Sequence, residues 1–216
     1  EIMPSLVGSE MCIRDRPESD FSIENLIGKR VIVDHGGQPR HMFNYACHKA
    51  GLGLSDFEAI DAGSADDMVA AFKGGEGDYV HLQGPAPQQL EIEGSGVVVG
   101  RVGDWVGPCA FSSLASRSDW LETDAAVGFI KAFRAARQWV NQTPALDVAN
   151  SEISYFPDVS LEALTEAIAA YQALGCWSGQ VEIVPDEIAV SVEVFRLGGA
   201  ITGDIDPLFV AVRPPG

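Results

Sequence analysis

The sequence predicts an α/β fold in which helices cover both faces of a parallel sheet, followed by a mostly helical segment. Between residues 29 and 101, four short apolar runs rich in β-branched side chains alternate with three segments of helical periodicity. From residue 102 onward, apolar residues recur mainly at helical spacing. Because each helix carries the chain back across a face of the sheet, strands that alternate with helices lie parallel.

The first strand, loop and helix carry the clearest functional signal. The run at 31–33 is entirely β-branched and predicts a buried strand. In the loop that follows, Gly36 and Gly37 permit backbone angles that other residues avoid. A helix then begins near Arg40 and ends at Gly51. This unit points free N–H groups and the positive end of a helix dipole outward, which suits an anion. The alternative is an ordinary strand-to-helix turn.

The same reasoning places the remaining elements. Ser64, followed by two acidic residues, is typical of a helix N-cap. The predicted strands are 31–33, 57–60, 78–82 and 97–99, with a further candidate at 109–113. After the helix that begins near residue 40, the predicted helices are 65–73, 86–93, 124–141, 144–153, 161–174 and 185–197.

The charge of the chain excludes some classes of partner. The sequence has 31 Asp and Glu against 14 Lys and Arg, which gives a net charge of −17. Such a surface repels nucleic acid and anionic lipid. A small anionic ligand remains compatible, since Arg40 and His41 could form a local basic pocket. No run of eighteen apolar residues is present, so no membrane-spanning helix is predicted.

Neither the cysteines nor the histidines predict a metal or catalytic site. The cysteines are Cys12, Cys47, Cys109 and Cys176. They form no CxxC pair, and their spacing neither supports nor excludes a disulfide. His41 and His48 lie two helical turns apart, too far for one metal ion without other ligands, and His35 and His81 belong to other elements. The motifs G-x-S-x-G, Walker A and HExxH are absent. We therefore expect no metal, no cofactor and no catalytic group.

Residues 17–212 resemble the substrate-binding proteins of ABC importers, and most of all the SsuA/THI5-like family of sulfonate, nitrate, taurine and thiamine-precursor binders. The matching stretches are IENLIGKRVIVDHGGQPRHMF, KAGLGLSDFEAIDAGSADDMVAAFKGGEGDYVHLQGPAPQQLE, ASRSDWLETDAAVGFIKAFRAARQWV and ISYFPDVSLEALTEAIAAYQALGCW. None of these stretches is diagnostic alone. Their order along the chain makes the match specific.

The resemblance implies a type 2 periplasmic-binding-protein-like fold, with two lobes, parallel-rich sheets and a ligand cleft between the lobes. Residues 29–101 are expected to form a complete α/β lobe after a linker at 17–28. Residues 102–216 are expected to be the mostly helical remainder of the other lobe. Because the family has further sequence upstream, we expect this first lobe to be incomplete.

Two further expectations follow from this incomplete lobe. Apolar side chains should be exposed where the rest of the lobe would pack, and they are Trp120, Phe129, Phe133 and Trp139. Residues 1–16 look like translated sequencing-adapter read-through. We therefore expect this segment to be a non-native tail; the alternative is a disordered tail, and in neither case would it have a function.

Candidate ligand-binding residues lie at the carboxyl ends of the predicted strands, where open α/β sheets bind ligands. In the resembled family the corresponding loops line the cleft. The candidates are His35, Gly36, Gly37, Gln38, Arg40 and His41 in the first loop, and Gln83, Gly84 and Pro85 in the loop after the third strand. A cation at a helix start is unfavourable against the helix dipole, so a bound anion would relieve Arg40. The alternative is that Arg40 is a surface charge.

The function that the resemblance implies is that of the solute-binding component of an ABC importer. Its ligand would be a small polar or anionic organic solute, such as a sulfonate, nitrate or a thiamine precursor, buried by hinge closure. Its partners would be ABC permease subunits, and it would act as a monomer in the periplasm or another extracytoplasmic compartment. Two alternatives stay open. One is a THI5-like pyrimidine-precursor synthase, although the expected Cys-rich run is absent; the other is a sensory ligand-binding module.

Overall fold

Five strands form one mixed sheet in the computed structural model, which describes residues 9–13, 21–110, 112–177, 181–206 and 212–216. The strands are β1 (Ser9–Ile13), β2 (Arg30–Val33), β3 (Glu58–Asp61), β4 (Tyr79–Gln83) and β5 (Val97–Arg101). They lie in the order β3-β2-β4-β1-β5. β2 is parallel to β3 and β4, whereas β1 is antiparallel to β4 and β5. The four predicted strands therefore all run in one direction.

The predicted helices lie close to their predicted positions. The helices are α1 (Gly37–Lys49), α2 (Ala65–Gly74), α3 (Ala86–Ile92), α4 (Val102–Val106), α5 (Ser118–Leu121), α6 (Asp124–Gln142), α7 (Ala145–Glu152), α8 (Leu161–Leu174) and α9 (Pro185–Leu197). Two short helices, α4 and α5, were not predicted. α1 begins three residues earlier than predicted, because Pro39 is compatible with the first turn of a helix. Short 3₁₀ turns occupy Ile23–Leu26 and Ile153–Tyr155.

The sheet has an apolar core on each face, which gives the predicted three layers. Successive side chains of a strand point to opposite faces, so Val31 and Val33 lie on one face and Ile32 on the other. The first face packs against α1 and α4, with Phe43 at its centre. The second face packs against α2 and α3, with Phe72 among its fully buried side chains.

The alternative of a disordered tail at residues 1–16 is wrong for β1. This strand fills the space between β4 and β5, and Met11 and Cys12 are fully buried on opposite faces. Residues 9–13 show no alternating pattern, because a central strand can be apolar on both faces. The position of β1 depends on pairing with strands that are distant in the sequence, and no local sequence pattern indicates such pairing. The non-native origin of this segment stays a prediction.

The strand expected at 109–113 is not present in the part of it that the structure describes. Phe111 lies outside the described residues, and Cys109, Ala110 and Ser112 have no strand geometry. The backbone of Ala110 bonds to a helix instead. Its N–H donates to the Glu187 carbonyl at 3.1 Å, and its carbonyl accepts from the Ser191 hydroxyl at 2.8 Å. The polar groups of this apolar segment are therefore satisfied without a sheet.

The helices after β5 pack on helices from both faces of the sheet. α8 lies against α3, where the Ser160 N–H donates to Gln89 Oε1 at 3.0 Å. α9 lies along α1, where the Tyr45 hydroxyl donates to Glu193 Oε2 at 2.8 Å. α7 and α8 enclose a smaller apolar cluster of their own.

The predicted exposure of aromatic side chains on the helical part is confirmed for Trp139, which is 43% exposed. Trp120, Phe129 and Phe133 are half-buried instead. Their rings pack against one another. The ring centroids of Trp120 and Phe129 are 5.9 Å apart, and those of Phe129 and Phe133 are 6.2 Å apart. Across the described residues, no helix combines the length and the apolar character needed to cross a bilayer.

Replacing Met11 tests whether β1 belongs to the folded sheet. Met11→Ala removes a fully buried side chain from the core between the sheet and α1. We expect the free energy of unfolding to fall by about 2–5 kcal/mol. Denaturant titration followed by circular dichroism would measure it.

Leu54→Ala is the matched control, because Leu54 is 47% exposed and its truncation should change stability little. Equal stability of Met11→Ala and the parent protein would mean that residues 9–13 do not occupy the sheet.

Candidate functional site

An open cavity of about 640 Å³ lies at the carboxyl edge of the sheet. Its lining residues are Asp34, His35, Gly36, Gly37, Gly63, Ser64, Ala65 and Met68. They come from the loops after β2 and β3 and from the first turns of α1 and α2. Because β2 and β3 are adjacent and parallel, with Val33 beside Asp61, both loops leave the sheet at the same edge.

The two helices that begin at this cavity differ in how their first turns are satisfied. The first turn of α2 is capped by its own side chains. The Asp67 N–H donates to Ser64 Oγ at 3.3 Å, and the Ser64 N–H donates to Asp67 Oδ2 at 3.1 Å. In α1, by contrast, the N-cap residue is Gly36, which has no side chain to cap the helix. The N–H groups of Gly37 and Gln38 therefore remain at the open positive end of α1.

The loop that leads into α1 is held in shape by its own hydrogen bonds. The Gly36 N–H donates to Asp34 Oδ1 at 3.2 Å, and Arg40 Nη1 donates to the Asp34 carbonyl at 3.1 Å. Gly37 has a φ of +70°, in the left-handed region that favours glycine. The predicted need for glycine is confirmed at this position.

Arg40 does not line the cavity, but it supplies positive charge next to this loop, to which it donates a hydrogen bond. The side chain is half-buried, and among the described residues no carboxylate lies within 4 Å of it. Its charge contributes to the lowered pKa of Asp61 and, after burial, to the pKa of His81, which falls to about 3. Arg40 is thus a structural part of the loop and more than a solvent-exposed surface charge.

His35, which lines the cavity, forms an exposed ion pair with Asp61. Its Nδ1 lies 2.8 Å from Asp61 Oδ2 and 3.0 Å from Oδ1, so the ring donates to the carboxylate. This hydrogen bond and the charge of Asp61 raise the pKa of His35. The same hydrogen bond lowers the pKa of Asp61, which also accepts the Gly63 N–H at 3.1 Å.

Other predicted site residues lie outside this cavity lining. Gln38 is half-buried in the first turn of α1. His41 points to α9, where its ring packs against Phe195 with centroids 5.3 Å apart. The contact is tight, since an added Cβ on Gly198 would lie 1.9 Å from His41 Nδ1.

The predicted loop after β4 is covered by α8. The Gly84 N–H donates to the Tyr171 hydroxyl at 3.1 Å, and a Cβ on Gly84 would lie 2.5 Å from that oxygen. Gln83 is exposed and Pro85 half-buried at the same sheet edge. This loop therefore borders the helical part of the chain, whereas the cavity lies at the other side of β2.

The sequence analysis missed the half of the cavity that follows β3. Ser64 was predicted only as a helix N-cap, yet Gly63 and Ser64 line the cavity, and Asp61 pairs with His35 of the lining. The rule about carboxyl ends of parallel strands applies to β3 as much as to β2 and β4, and it could have identified them. In the part of the chain that the structure describes, no three His, Cys, Asp or Glu side chains group closely enough to hold a metal ion.

His81 is a buried histidine rather than a cavity residue. Its ring stacks on Phe43, with centroids 4.9 Å apart and planes inclined by 24°. Burial is the main reason why its pKa falls to about 3, so the ring is neutral at physiological pH.

Comparisons with known proteins agree on the fold. No protein-family model matches the sequence. A Bacillus subtilis (strain 168) protein named putative binding protein YtlA is 27% identical over 156 residues, which cover 70% of this chain and 47% of that protein. The chain thus spans about half the length of this relative.

Solved structures of periplasmic binding proteins superpose on most of the chain. The periplasmic aliphatic sulphonate binding protein SsuA from Escherichia coli matches with a TM-score of 0.66 at 16% identity, covering 99% of this chain and 68% of that one. The alkanesulfonate-binding protein SsuA from Xanthomonas axonopodis pv. citri, bound to MOPS, matches with a TM-score of 0.54 at 15% identity, covering 90% and 66%. These matches confirm the predicted periplasmic-binding-protein fold.

Gly37 tests the geometry of the loop before α1. Gly37→Val should lower the free energy of unfolding by about 1–2 kcal/mol, because a β-branched residue is disfavoured at a φ of +70°. Thermal unfolding followed by circular dichroism would measure the loss.

Gly36→Val is the matched control in the neighbouring position. Gly36 has an extended φ of 179°, and a Cβ there meets no atom within 4 Å. If both variants melt at the same temperature, the left-handed conformation of Gly37 is not what stabilises the loop.

The His35–Asp61 pair should be visible in solution as a raised histidine pKa. A raised pKa stabilises the fold below the ordinary value near 6.5, and this contribution is lost as the pH rises through the folded value. The lowered pKa of Asp61 adds stability above about 3.8, lost as the pH falls through its folded value. The ion pair therefore stabilises the fold at pH values between the titration of Asp61 and the titration of His35. NMR titration of the ring protons, assigned with His35→Gln, would measure the pKa of His35.

Asp61→Asn should bring the pKa of His35 back down, because the carboxylate is the main cause of its rise. An unchanged His35 titration in that variant would contradict the pairing.

Proposed function

We propose that this chain is the solute-binding component of an ABC importer, and that it captures a small anionic organic solute of the sulfonate class. The binding position is the open first turn of α1, at the cavity formed by the loops after β2 and β3. The observation that carries the proposal is the contrast between α1 and α2: both begin at the cavity, but only α2 is capped by its own side chains.

An anion at the start of α1 would meet several favourable groups at once. The N–H groups of Gly37 and Gln38 point along the helix axis toward it, and the helix dipole adds positive potential. Arg40 has a positive charge without a carboxylate partner among the described residues. His35 adds a second positive charge when it is protonated.

The carboxylates near the cavity do not cancel this preference. Asp34 accepts the Gly36 N–H, and Asp61 accepts from His35 and from the Gly63 N–H. Each carboxylate is thus engaged within the loops. Their remaining negative charge favours a solute with a single negative charge over a dianion, since each added charge would be repelled at close range.

The solute class is supported by the names of the similar structures, which are sulfonate-binding proteins, one of them bound to MOPS. A sulfonate stays ionised throughout the physiological pH range and offers three acceptor oxygens. Several convergent N–H donors match this geometry. In the same way, the similar proteins are named as binding proteins, which favours solute binding over catalysis.

The arrangement of the two parts of the chain supports capture by closure. α9 packs along α1, and α8 covers the loop at Gly84, so helices of the second part flank the carboxyl edge of the sheet. A hinge movement between the two parts would bury a solute held at α1. The chain would then present the solute to permease subunits, as a monomer outside the cytoplasm.

Arg40→Ala tests the proposed anion position in the protein as its gene encodes it. Loss of a charge-assisted hydrogen bond of about 1.5–3 kcal/mol should raise the dissociation constant roughly ten- to hundredfold. Isothermal titration calorimetry with alkanesulfonates, including MOPS, with nitrate, with carboxylates and with pyrimidine precursors would identify the solute class and measure the change.

Arg30→Ala is the matched control for loss of an arginine. Arg30 pairs with Asp78 at 2.7 Å at the amino end of β2, the opposite edge of the sheet, so binding should be unchanged. If Arg40→Ala binds the identified solute as tightly as the parent, the site is not at this loop. If only neutral solutes bind, the proposed solute class is wrong.

A further inference from the structure

The ring of His35 is held by Asp61 through one of its two nitrogens. His35 lines the cavity and directly precedes Gly36, the N-cap of α1. Its Nδ1 lies 2.8 Å from Asp61 Oδ2 and 3.0 Å from Oδ1. An ionised carboxylate accepts hydrogen bonds and donates none, so Nδ1 has its proton in the neutral ring as well as in the charged one. The hydrogen bond to Asp61 therefore fixes the tautomer of the neutral ring.

The second ring nitrogen of His35, Nε2, is the atom that changes when the ring titrates. The side chain is 75% exposed, and no group of the described residues forms a hydrogen bond with Nε2. In the neutral ring Nε2 has a lone pair, which repels an anion. In the protonated ring it has an N–H, which donates to an anion with the assistance of the positive charge. Protonation thus converts a repelling atom at the cavity into a donor.

The charged groups around His35 belong to classes that keep their charge while a histidine titrates. They come from its own loop, from the loop after β3 and from the first turns of α1 and α2, and they are Asp34, Asp61, Arg40, Asp66 and Asp67. Carboxylates ordinarily titrate at about pH 4 and guanidinium groups above about pH 12, whereas histidine titrates at about pH 6.5. Between about pH 6 and pH 9, the charge of this set therefore changes at His35.

We propose that His35 makes the capture of the anion depend on a proton, and that the site takes up this proton at Nε2 together with the solute. The inference rests on the proposed function, because it requires an anion at the start of α1. The protonated ring donates from Nε2 to the anion, while Nδ1 continues to donate to Asp61. The anion stabilises the protonated ring in turn, so binding raises the pKa of His35 above its value in the free protein.

The direction of the pH dependence follows from this exchange of groups. At a pH below the pKa of His35 in the free protein, the ring is already protonated and the affinity for the anion is highest. As the pH rises through that pKa, the affinity falls, because binding must then also protonate the ring. We expect the dissociation constant to rise about three- to tenfold in total, since an exposed charge pair contributes less than a buried one. The protein would hold its solute more tightly in acidic surroundings.

Isothermal titration calorimetry with ethanesulfonate, from about pH 6 to pH 9, tests the proton dependence. Ethanesulfonate keeps its single negative charge over this range, whereas the amine of MOPS titrates within it. The buffers are imidazole and Tris, because phosphate and sulfonate buffers would compete for the site. We expect the dissociation constant to rise about three- to tenfold from the acidic to the alkaline end. The two buffers differ in ionisation enthalpy, so the difference between their binding enthalpies should reveal proton uptake.

Three substitutions separate His35 from the other titratable groups. His35→Gln should bind ethanesulfonate with an affinity that does not change with pH, and without proton uptake. His48→Gln is the matched control, because His48 is exposed in the last turn of α1, at the opposite end of the helix, so the pH dependence should remain. Asp61→Asn should shift the fall in affinity to lower pH, because the carboxylate is the main cause of the raised pKa of His35.

The outcomes distinguish this inference from the proposed function. If ethanesulfonate binds with the same affinity at every pH, or if His35→Gln keeps the pH dependence of the parent protein, the inference is wrong and the proposed function stands. If ethanesulfonate binds at no pH, the sulfonate site and this inference fail together. NMR titration of His35 in the parent protein gives the same decision even if a variant fails to fold, since ethanesulfonate should raise the pKa of the ring.

Discussion

The parallel pairing of β2 with β3 and β4 is the constraint on which the candidate site depends. Since Val33 of β2 lies beside Asp61 of β3, both strands end at the same edge, and the following loops meet there. α1 and α2 must then begin at that edge, because each carries the chain back across a face of the sheet. One uncapped helix start, one capped helix start and the His35–Asp61 pair are brought together by this pairing alone.

The strands and helices that the sequence predicts are those specified by local patterns. The β-branched run of β2 and the Ser64 cap of α2 each need only a few neighbouring residues to be recognised. β1 could not be recognised in this way, because its stabilisation comes from hydrogen bonds to β4 and β5 on both sides. The strand expected at 109–113 fails for the converse reason: the backbone groups of Ala110 bond to a helix rather than to another strand.

The distinction between local and long-range interactions also separates the predictable and unpredictable parts of the site. Gly36 and Gly37 can be recognised in the sequence, because two glycines between a strand and a helix indicate an unusual turn. The surroundings of His41 and Gly84 cannot be recognised in this way, because they depend on Phe195 and Tyr171, which are distant in the chain. Sequence reasoning could thus identify the loop that forms the cavity, but not which neighbouring side chains another helix covers.

The overall negative charge of the chain opposes the proposed binding of an anion at long range. With a net charge of −17, the protein repels an anionic solute at long range. At physiological ionic strength this repulsion is screened beyond about 8 Å, so the solute approaches to within that distance at modest cost. The free N–H groups of α1 and the charge of Arg40 act within the last few ångströms, where screening is weak. The anion affinity that we propose for this acidic protein would therefore arise from short-range donors and from closure that excludes water, rather than from electrostatic steering.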